Sequence, residues 1–319
     1  MRLLPDNVRD GVPTEAPPQT PGIPARVPEG TPLHTPGLSA QAPSFDETPL
    51  LAPPLLAVEG LRISAADGTE LVHGIDVAVR RGDSLGIVGE SGSGKTLLCR
   101  AVLGILPAGI HVTGGRILIE GRDMTAATEP EWRAVRGHRV AAVFQDPASY
   151  LNPALRVGKQ LEEVLRRTAG VHRRDTRGQA HDLLTQLGLR DVDRVLRQRV
   201  GELSGGMLQR VLIAMALATD PDVLIADEAT TALDVTVQAE ILDLLRDLRT
   251  QRRLALVLVS HDLAVVSAVC DRVQVFRDGR VIEGGATARV LRAPGHPYTR
   301  QLLSAHAEYG LERYLGSIL

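Results

Sequence analysis

Short runs of consecutive apolar residues recur along the chain, separated by turn residues. Five of these runs are apolar almost throughout, with little alternation between apolar and polar residues: 84–89, 116–121, 140–144, 223–227 and 254–260. A run that is apolar on both sides of the backbone is typical of a strand buried on both faces of a parallel sheet. We therefore predict a largely parallel sheet built from these runs.

Segments with helical character lie between the runs, at residues 159–167, 177–187, 209–218 and 237–251. Strands that alternate with helices predict an α/β domain with helices on both faces of the sheet. Further along, residues 272–276 and 280–283 flank Asp278-Gly279, which is a two-residue hairpin signal. We therefore expect an added antiparallel β element.

Proline divides the chain into two parts. Thirteen of the 20 prolines lie in residues 1–54, which carry three arginines against six acidic residues. Scattered prolines exclude helix and sheet interiors, so we expect an extended, mostly disordered leader, with a binding tail as the functional alternative. The organisation predicted is this leader, a folded domain at 55–290 with a helical subdomain at about 145–201, and a short tail at 291–319.

Charge and cysteine content narrow the class of protein. The 36 basic and 38 acidic residues nearly balance, which argues against a general nucleic-acid-coating protein but is compatible with a local basic patch. We expect no nucleic-acid partner. Cys99 and Cys270 stand far apart without a CxxC neighbour, so neither a disulfide framework nor a zinc ribbon is indicated. No run approaches the roughly 18–20 apolar residues that span a bilayer, and the first ten residues lack a signal-peptide core. We expect a reducing, cytoplasmic setting.

A glycine-rich loop follows the run at 84–88 and precedes a helical stretch. It consists of Gly89, Glu90, Ser91, Gly92, Ser93, Gly94, Lys95 and Thr96, which match the pattern GxxxxGK[ST]. In such a loop the backbone N–H groups surround phosphate oxygens, the lysine reaches the β and γ phosphates, and the hydroxyl ligates Mg²⁺. The chain has 34 arginines and two lysines, yet this position holds lysine, whose compact charge suits the loop. We predict a nucleotide site.

Two acids close the run at 223–227. Asp227 and Glu228 end an apolar strand, which is costly unless the carboxylates face a cation. We predict that Asp227 holds Mg²⁺ through water and that Glu228 orients or deprotonates the attacking water. Taken alone, the two acids are equally compatible with a solvated strand end. The glycine-rich loop favours the metal interpretation.

A glycine pair precedes the helical stretch at 209–218. The segment reads Leu203, Ser204, Gly205, Gly206 and Met207. Ser204 is suited to cap a helix, and the glycines leave backbone N–H groups free to approach an anion at the positive helix end. We expect that helix to begin at about Leu208.

The three motifs together resemble the ATP-binding subunits of ABC transporters. GESGSGKT, LSGGM (close to the LSGGQ signature) and VLIADE occur in the order of that family. The resemblance implies ATP and Mg²⁺ as ligands and roles for three further residues. Gln145 matches the Q-loop glutamine near the metal and water, Asp234 matches the D-loop, and His261 matches the switch histidine at the γ-phosphate.

The resemblance also implies partners. Two such subunits face each other head to tail, and each ATP lies between the phosphate loop of one and the LSGGQ-type segment of the other. We therefore expect a second ATPase subunit (a paralogue or a second copy), integral-membrane permease subunits at the cytoplasmic face of the membrane, and indirectly an extracytoplasmic solute-binding protein. The surface around Gln145 is expected to receive a short coupling helix of the permease.

Within the family, the chain resembles the peptide and nickel importer ATPases. Residues 144–160, 229–242 and the GHPYT segment at 295–299 carry this likeness, which covers roughly residues 55–305. The function expected is an ATP-hydrolysing motor of an importer for di- or oligopeptides or a related small solute. The alternative is an ABC-type ATPase that serves as accessory subunit of a non-transport enzyme complex.

The chain departs from the family pattern in one segment and at two single positions. No Phe, Tyr or Trp occurs between Phe45 and Trp132, where the family places an aromatic that stacks on adenine. Such stacking is worth about 1–3 kcal/mol, so we expect relaxed discrimination between ATP and GTP. Ala229 stands where proline is common and Leu208 where a basic residue is common. Neither change removes a ligand, so we expect hydrolysis to survive.

Overall fold

A computed structural model describes residues 53–307 except Asp146, Thr231 and Ala232. The predicted leader therefore lies outside the described residues, apart from its last two prolines. The strands are β1 Leu56–Ala65, β2 Glu70–Val79, β3 Ser84–Val88, β4 Ile110–Ile119, β5 Arg122–Asp123, β6 Val140–Val143, β7 Val223–Asp227, β8 Ala255–Ser260, β9 Arg272–Arg277 and β10 Arg280–Ala286. The α-helices are α1 Lys95–Val102, α2 Glu129–Val135, α3 Val157–Arg167, α4 Thr176–Gln186, α5 Val192–Arg197, α6 Gly205–Leu217, α7 Val235–Arg252, α8 Leu263–Val269, α9 Thr287–Arg292 and α10 Pro297–Ala307.

A six-stranded sheet forms the centre of the fold. Its strand order is β10-β9-β3-β8-β7-β6, and all neighbours pair in parallel except β9 and β10, which form the expected antiparallel hairpin. The predicted α/β class with an added antiparallel element is confirmed.

Both faces of the central sheet are buried around β3, β6, β7 and β8, which explains why these four strands are mostly apolar. In β7, Leu224 and Ala226 belong to the core on the side of the helices α3 to α8, whereas Val223 and Ile225 belong to the core on the other side. Successive side chains of a strand point to opposite faces, so a strand between two cores needs apolar residues on both of its sides.

A separate four-stranded sheet, of order β2-β1-β4-β5, is antiparallel. It contains residues 116–119 of a run that the sequence pattern assigned to the parallel sheet, and that assignment is wrong. Ile117 and Ile119 are buried but Leu118 between them is only half-buried, so the end of β4 has one core-facing side. Because Leu118 is apolar although it is only half-buried, residues 117–119 form an unbroken apolar run, which resembles a strand buried on both faces.

The helices α3, α4 and α5 follow β6 and precede α6 in the sequence, and they pack on one another. Their shared core is formed by buried aliphatic side chains, among them Leu161, Leu165, Leu184 and Val195. α6 begins at Gly205 and not at about Leu208 as expected, because Ser204 caps it and both glycines enter its first turn. Among the helices of the described ranges, none combines the length and the apolar character needed to cross a membrane.

Candidate nucleotide-binding site

The carboxyl ends of four parallel strands meet at one edge of the central sheet. β3, β8, β7 and β6 lie side by side in that order. The glycine-rich loop follows β3, and His261 follows β8. Asp227 ends β7 with Glu228 directly after it, and Gln145 comes shortly after β6. The sheet therefore brings the predicted loop, the two acids, the histidine and the glutamine to the edge where ligands bind in open α/β sheets. Gln145 is exposed there.

Lys95 occupies the centre of the loop. Its Nζ donates to the carbonyl oxygens of Gly89 and Glu90, at 2.7 Å each, and lies 3.4 Å from the Ser93 hydroxyl. The residue is 3% exposed, and burial lowers the pKa of its ammonium group, while the charges of Glu228 and Asp227 oppose this shift. A cation held in this way is ready to exchange carbonyl oxygens for phosphate oxygens.

The glycines of the loop are needed for its conformation. Gly92 and Gly94 have φ angles of 83° and 101°, in the left-handed region that favours glycine. At Gly89 a Cβ atom would collide with the carbonyl oxygen of Phe276 in β9. Gly94 leads directly into α1, so the N–H groups of the first turn face the loop. Ser91 and Gly92 lie at its exposed tip.

Thr96 and Asp227 place two oxygen atoms side by side. Thr96 Oγ1 lies 3.5 Å from Asp227 Oδ1. Asp227 is 3% exposed, and burial raises the pKa of its carboxyl group, with the Thr96 hydroxyl and the Lys95 charge acting in the opposite direction. A buried carboxylate beside a hydroxyl has the oxygen donors that Mg²⁺ prefers, so these residues fit the metal.

Glu228 turns the chain at the end of β7. Its φ angle is 49°, which is uncommon for a residue with a side chain, and its N–H donates to the Val259 carbonyl of β8 at 2.9 Å. His261 Nδ1 lies 3.7 Å from Glu228 Oε2, longer than a hydrogen bond. The glutamate side chain is 16% exposed and that of the histidine 51%, so the carboxylate is sheltered and the imidazole is open to solvent.

The other predicted residues form a second cluster where α6 and α7 begin. Ser204 Oγ accepts the Met207 N–H at 3.3 Å, and Asp234 Oδ1 accepts the Val237 N–H at 3.0 Å, so each residue caps its helix. A Cβ atom at Gly206 would lie 2.5 Å from Val237 Cγ1, so the two helix starts are in close contact. Leu203 and Gly205 belong to the same cluster, since Leu203 packs on the buried core and Gly205 faces Leu233.

Two contacts to the loop were not foreseen from the sequence. The N–H of Glu90 donates to the phenolic oxygen of Tyr298 at 3.1 Å, and Gly279 in the β9–β10 turn donates its N–H to the Ser93 carbonyl at 3.1 Å. In the sequence, the GHPYT segment shows only a resemblance to a family and predicts no contact with the loop. Its partner in the loop lies 208 residues away, so no local pattern connects the two.

This fold and this arrangement of loop, acids and histidine define a phosphate-loop ATPase. Among sequence families, the model described as ABC transporter matches residues 72–231. The probable D,D-dipeptide transport ATP-binding protein of Escherichia coli strain K12 is 42% identical over 82% of this chain and 81% of its own length. The dipeptide transport ATP-binding protein of Bacillus subtilis strain 168 is 40% identical over 79% of this chain and 76% of its own length.

A solved structure agrees with these relatives. The dimeric bacterial ABC transporter cassette MJ0796 matches with a TM-score of 0.64 and 25% identity, over 73% of this chain and 98% of that one. The chain belongs to the ABC transporter family, as one of its ATP-binding ATPases, and the resemblance seen in its sequence is confirmed. It therefore binds nucleotide.

Proposed function

We propose that the chain is the motor subunit of an importer for di- or oligopeptides or a related small solute. The observation that carries the proposal is the convergence of Lys95, Asp227 and Glu228 at one sheet edge, which is the chemical set that ATP hydrolysis needs. The cargo class is supported by the dipeptide transport relatives. The comparisons give no support to the alternative of an accessory subunit in a non-transport enzyme complex.

In this proposal the glycine-rich loop binds the phosphates. The N–H groups from Ser91 to Thr96, together with the positive end of α1, surround the β and γ phosphates. Because its ammonium group has three N–H donors, Lys95 can donate to phosphate oxygens in place of the Glu90 carbonyl and keep its bond to the Gly89 carbonyl. Because the ammonium group is already buried in the loop, little reorganisation opposes binding.

Thr96, Gln145 and Asp227 would hold Mg²⁺. Bound there, Mg²⁺ neutralises part of the phosphate charge that develops during phosphoryl transfer. The role of the chain is to present a hydroxyl and a buried carboxylate 3.5 Å apart, from α1 and β7. Gln145, at the exposed end of β6, is suited to respond to events outside the site.

Hydrolysis is assigned to Glu228 and His261. Glu228 accepts a proton from water while the water oxygen attacks the γ-phosphorus, and the bond from this phosphorus to the β–γ bridging oxygen breaks, which leaves ADP and inorganic phosphate. His261 donates to a γ-phosphate oxygen and holds it in line. The backbone bond from Glu228 to Val259 keeps the carboxylate at the strand end.

Completion of each site requires a second cassette. We place Leu203, Ser204, Gly205 and Gly206 against the nucleotide of a partner, and Asp234 beside them at the subunit contact. Val235, which follows Asp234, is 61% exposed, so the start of α7 is open to a partner subunit. The dimeric cassette among the structural relatives supports this arrangement. A second copy and a paralogue both suit it.

A permease is the second partner proposed. An apolar groove of about 350 Å³ lies beside β6 and is lined by Phe144, Tyr150, Leu212 and Met215 among others. Phe144 and Tyr150 stack with ring centroids 5.4 Å apart, and the Tyr150 residue remains 55% exposed. A short helix of a membrane subunit, at the cytoplasmic face, fits such a groove, and the neighbouring Gln145 would relay its movement. A solute-binding protein would act through that permease.

The test of the proposed function is steady-state ATP hydrolysis by the purified chain and by Glu228→Gln, with gel filtration in ATP and Mg²⁺. We expect turnover by the wild type, its loss in Glu228→Gln, and an ATP-dependent dimer trapped by the variant. Glu59→Gln is the matched control, because Glu59 is an exposed residue of β1 paired with Arg116. A variant that hydrolyses ATP at the wild-type rate would contradict the role of Glu228. A wild type that binds ATP but stays inert and monomeric would point to a paralogous partner.

A further inference from the structure

Hydrogen bonds link the GHPYT segment to β10 and also link residues within the segment. Glu283, which is 8% exposed in β10, accepts the N–H groups of Gly295 at 2.8 Å and of His296 at 3.0 Å. His296 Nδ1 in turn accepts the Tyr298 N–H at 3.1 Å. Pro297 begins α10, where its missing N–H needs no partner. These bonds set the position from which the Tyr298 side chain leaves the backbone.

The ring of Tyr298 is held by packing. The residue is 3% exposed and belongs to the buried core on the α3 to α8 side of the central sheet, together with Val290 and Leu302. The guanidinium carbon of Arg277 lies 4.7 Å from the ring centroid. The ring therefore has anchors of its own, and the hydroxyl at its tip is free to serve another purpose.

One peptide unit of the phosphate loop is bonded at both ends. Its carbonyl oxygen, that of Gly89, accepts from Lys95 Nζ at 2.7 Å. Its N–H, that of Glu90, donates to the Tyr298 hydroxyl oxygen at 3.1 Å. In a trans peptide these two groups point in opposite directions, so Lys95 lies on one side of the unit and Tyr298 on the other. Rotation of this peptide would break both bonds.

We propose that Tyr298 is a positioning residue for the phosphate loop, which keeps the Gly89–Glu90 peptide in the orientation that binds the phosphates of a nucleoside triphosphate. This inference rests on the nucleotide site proposed above. The hydroxyl acts through the peptide on Lys95, so that the loop is arranged before the nucleotide arrives and less ordering opposes binding. The GHPYT segment, which the hydrolysis mechanism does not use, thereby gains a task at the nucleotide site.

The substitution that isolates this hydroxyl is Tyr298→Phe, since the ring and its packing remain. We expect the Kd for Mg-ATP and the KM for hydrolysis to rise about three- to tenfold, the range for one hydrogen bond, with kcat and the melting temperature little changed. Ser304→Ala is the matched control: it removes a hydroxyl from the same helix, where its bond to the Arg300 carbonyl stays within α10.

A second readout follows from linkage. If the loop and the GHPYT segment stabilise each other, Mg-ATP must slow hydrogen exchange at the amides of His296 and of residues 298–302 in the wild type. Tyr298→Phe should abolish this slowing. A role confined to folding would lower the melting temperature without changing the response to nucleotide.

The variant Lys95→Ala distinguishes a failure of the proposed nucleotide site from a failure of the inference about Tyr298. If Lys95→Ala binds ATP like the wild type, the proposed nucleotide site fails. If Lys95→Ala loses binding while Tyr298→Phe keeps the wild-type Kd and the exchange response, the site stands and the inference about Tyr298 is overturned. A Tyr298→Phe protein with a lower melting temperature and an unchanged Kd overturns it as well.

Discussion

The close contact between the starts of α6 and α7 allows a quantitative prediction for Gly206→Ala. A Cβ atom at Gly206 would lie 2.5 Å from Val237 Cγ1, whereas carbon atoms in ordinary contact lie about 3.5–4.0 Å apart. The backbone of Gly206 is helical, so alanine meets no backbone strain there. The effect of the substitution is therefore steric, and one side chain causes it.

Two opposing terms set the magnitude. Overpacking of this kind costs about 1–3 kcal/mol of unfolding free energy. Alanine in place of glycine returns up to about 1 kcal/mol in a helix interior and less in the first turn, where Gly206 lies. We expect Gly206→Ala to lose about 1–2 kcal/mol.

The assay is urea unfolding of Gly206→Ala, Val237→Ala and the double variant. Val237→Ala alone removes two methyl groups from a half-buried side chain and should cost about 1 kcal/mol. In the double variant the new Cβ atom has space, so it should be no less stable than Val237→Ala, with a coupling free energy of about 1–2 kcal/mol. Gly178→Ala is the matched control, because that helical glycine has open space around it and should gain stability.

Strict additivity of the two substitutions would refute this reasoning. It would mean that the α6–α7 contact does not limit the size of the side chain at position 206. A loss of stability in Gly178→Ala would show instead that the substitution of glycine is itself harmful in this protein. Because Gly206 belongs to the LSGGM segment, we also expect Gly206→Ala to lower ATP hydrolysis, and Val237→Ala in the same chain to restore part of it.

Three further predictions concern the nucleotide site itself. Because burial raises the pKa of Asp227, its charge destabilises the nucleotide-free fold at pH 7, so Asp227→Asn should raise the urea midpoint there while it abolishes hydrolysis. The gain should shrink as the pH falls and disappear below pH 3.8, the ordinary pKa of an aspartate, because the wild-type carboxyl is then protonated in both the folded and the unfolded state. His261→Ala should leave the unfolding free energy within about 0.5 kcal/mol of wild type, because the side chain is half exposed, and lower kcat about 100-fold. Competition titrations should give Kd values for ATP and GTP within about tenfold of each other, because residues 46–131 contain no aromatic to stack on the base.

Each of these predictions has a contrary outcome. A midpoint for Asp227→Asn that is lower at pH 7 than that of the wild type would show that the carboxylate is compensated within the fold. A His261→Ala protein with normal kcat would remove the histidine from the proposed mechanism. A strong preference for ATP over GTP would show that other groups read the base.

Much of the central fold was predictable because its signals are local. Strands β3, β6, β7 and β8 are apolar except for Ser84, Asp227 and Ser260 at their ends, since both faces of their sheet are covered, and this pattern is visible in a single sequence. The residues of the loop are contiguous for a similar reason: a turn that surrounds phosphates with backbone N–H groups is built within eight positions of the chain.

Predictions were wrong where local pattern and tertiary environment disagree. The run at 116–121 looked like a parallel strand, but its residues 116–119 pair with β1 in an antiparallel sheet. Both kinds of strand require apolar residues on the core side, and only the neighbouring strand decides the direction of pairing. The start of α6 moved from about Leu208 to Gly205 because the Ser204 cap outweighs the low helix propensity of two glycines.

The sequence by itself determined the class of fold, the phosphate loop and the acids that end β7, since each of these depends on residues that are neighbours in the chain. The tertiary structure decided which distant groups support them. Tyr298 reaches Glu90 across 208 positions, and Val237 contacts Gly206 from another helix. Hydrogen bonds and close packing depend on distances of a few ångströms in space. Only folding brings residues that are far apart in the sequence to such distances, so the sequence alone does not show which of them are in contact.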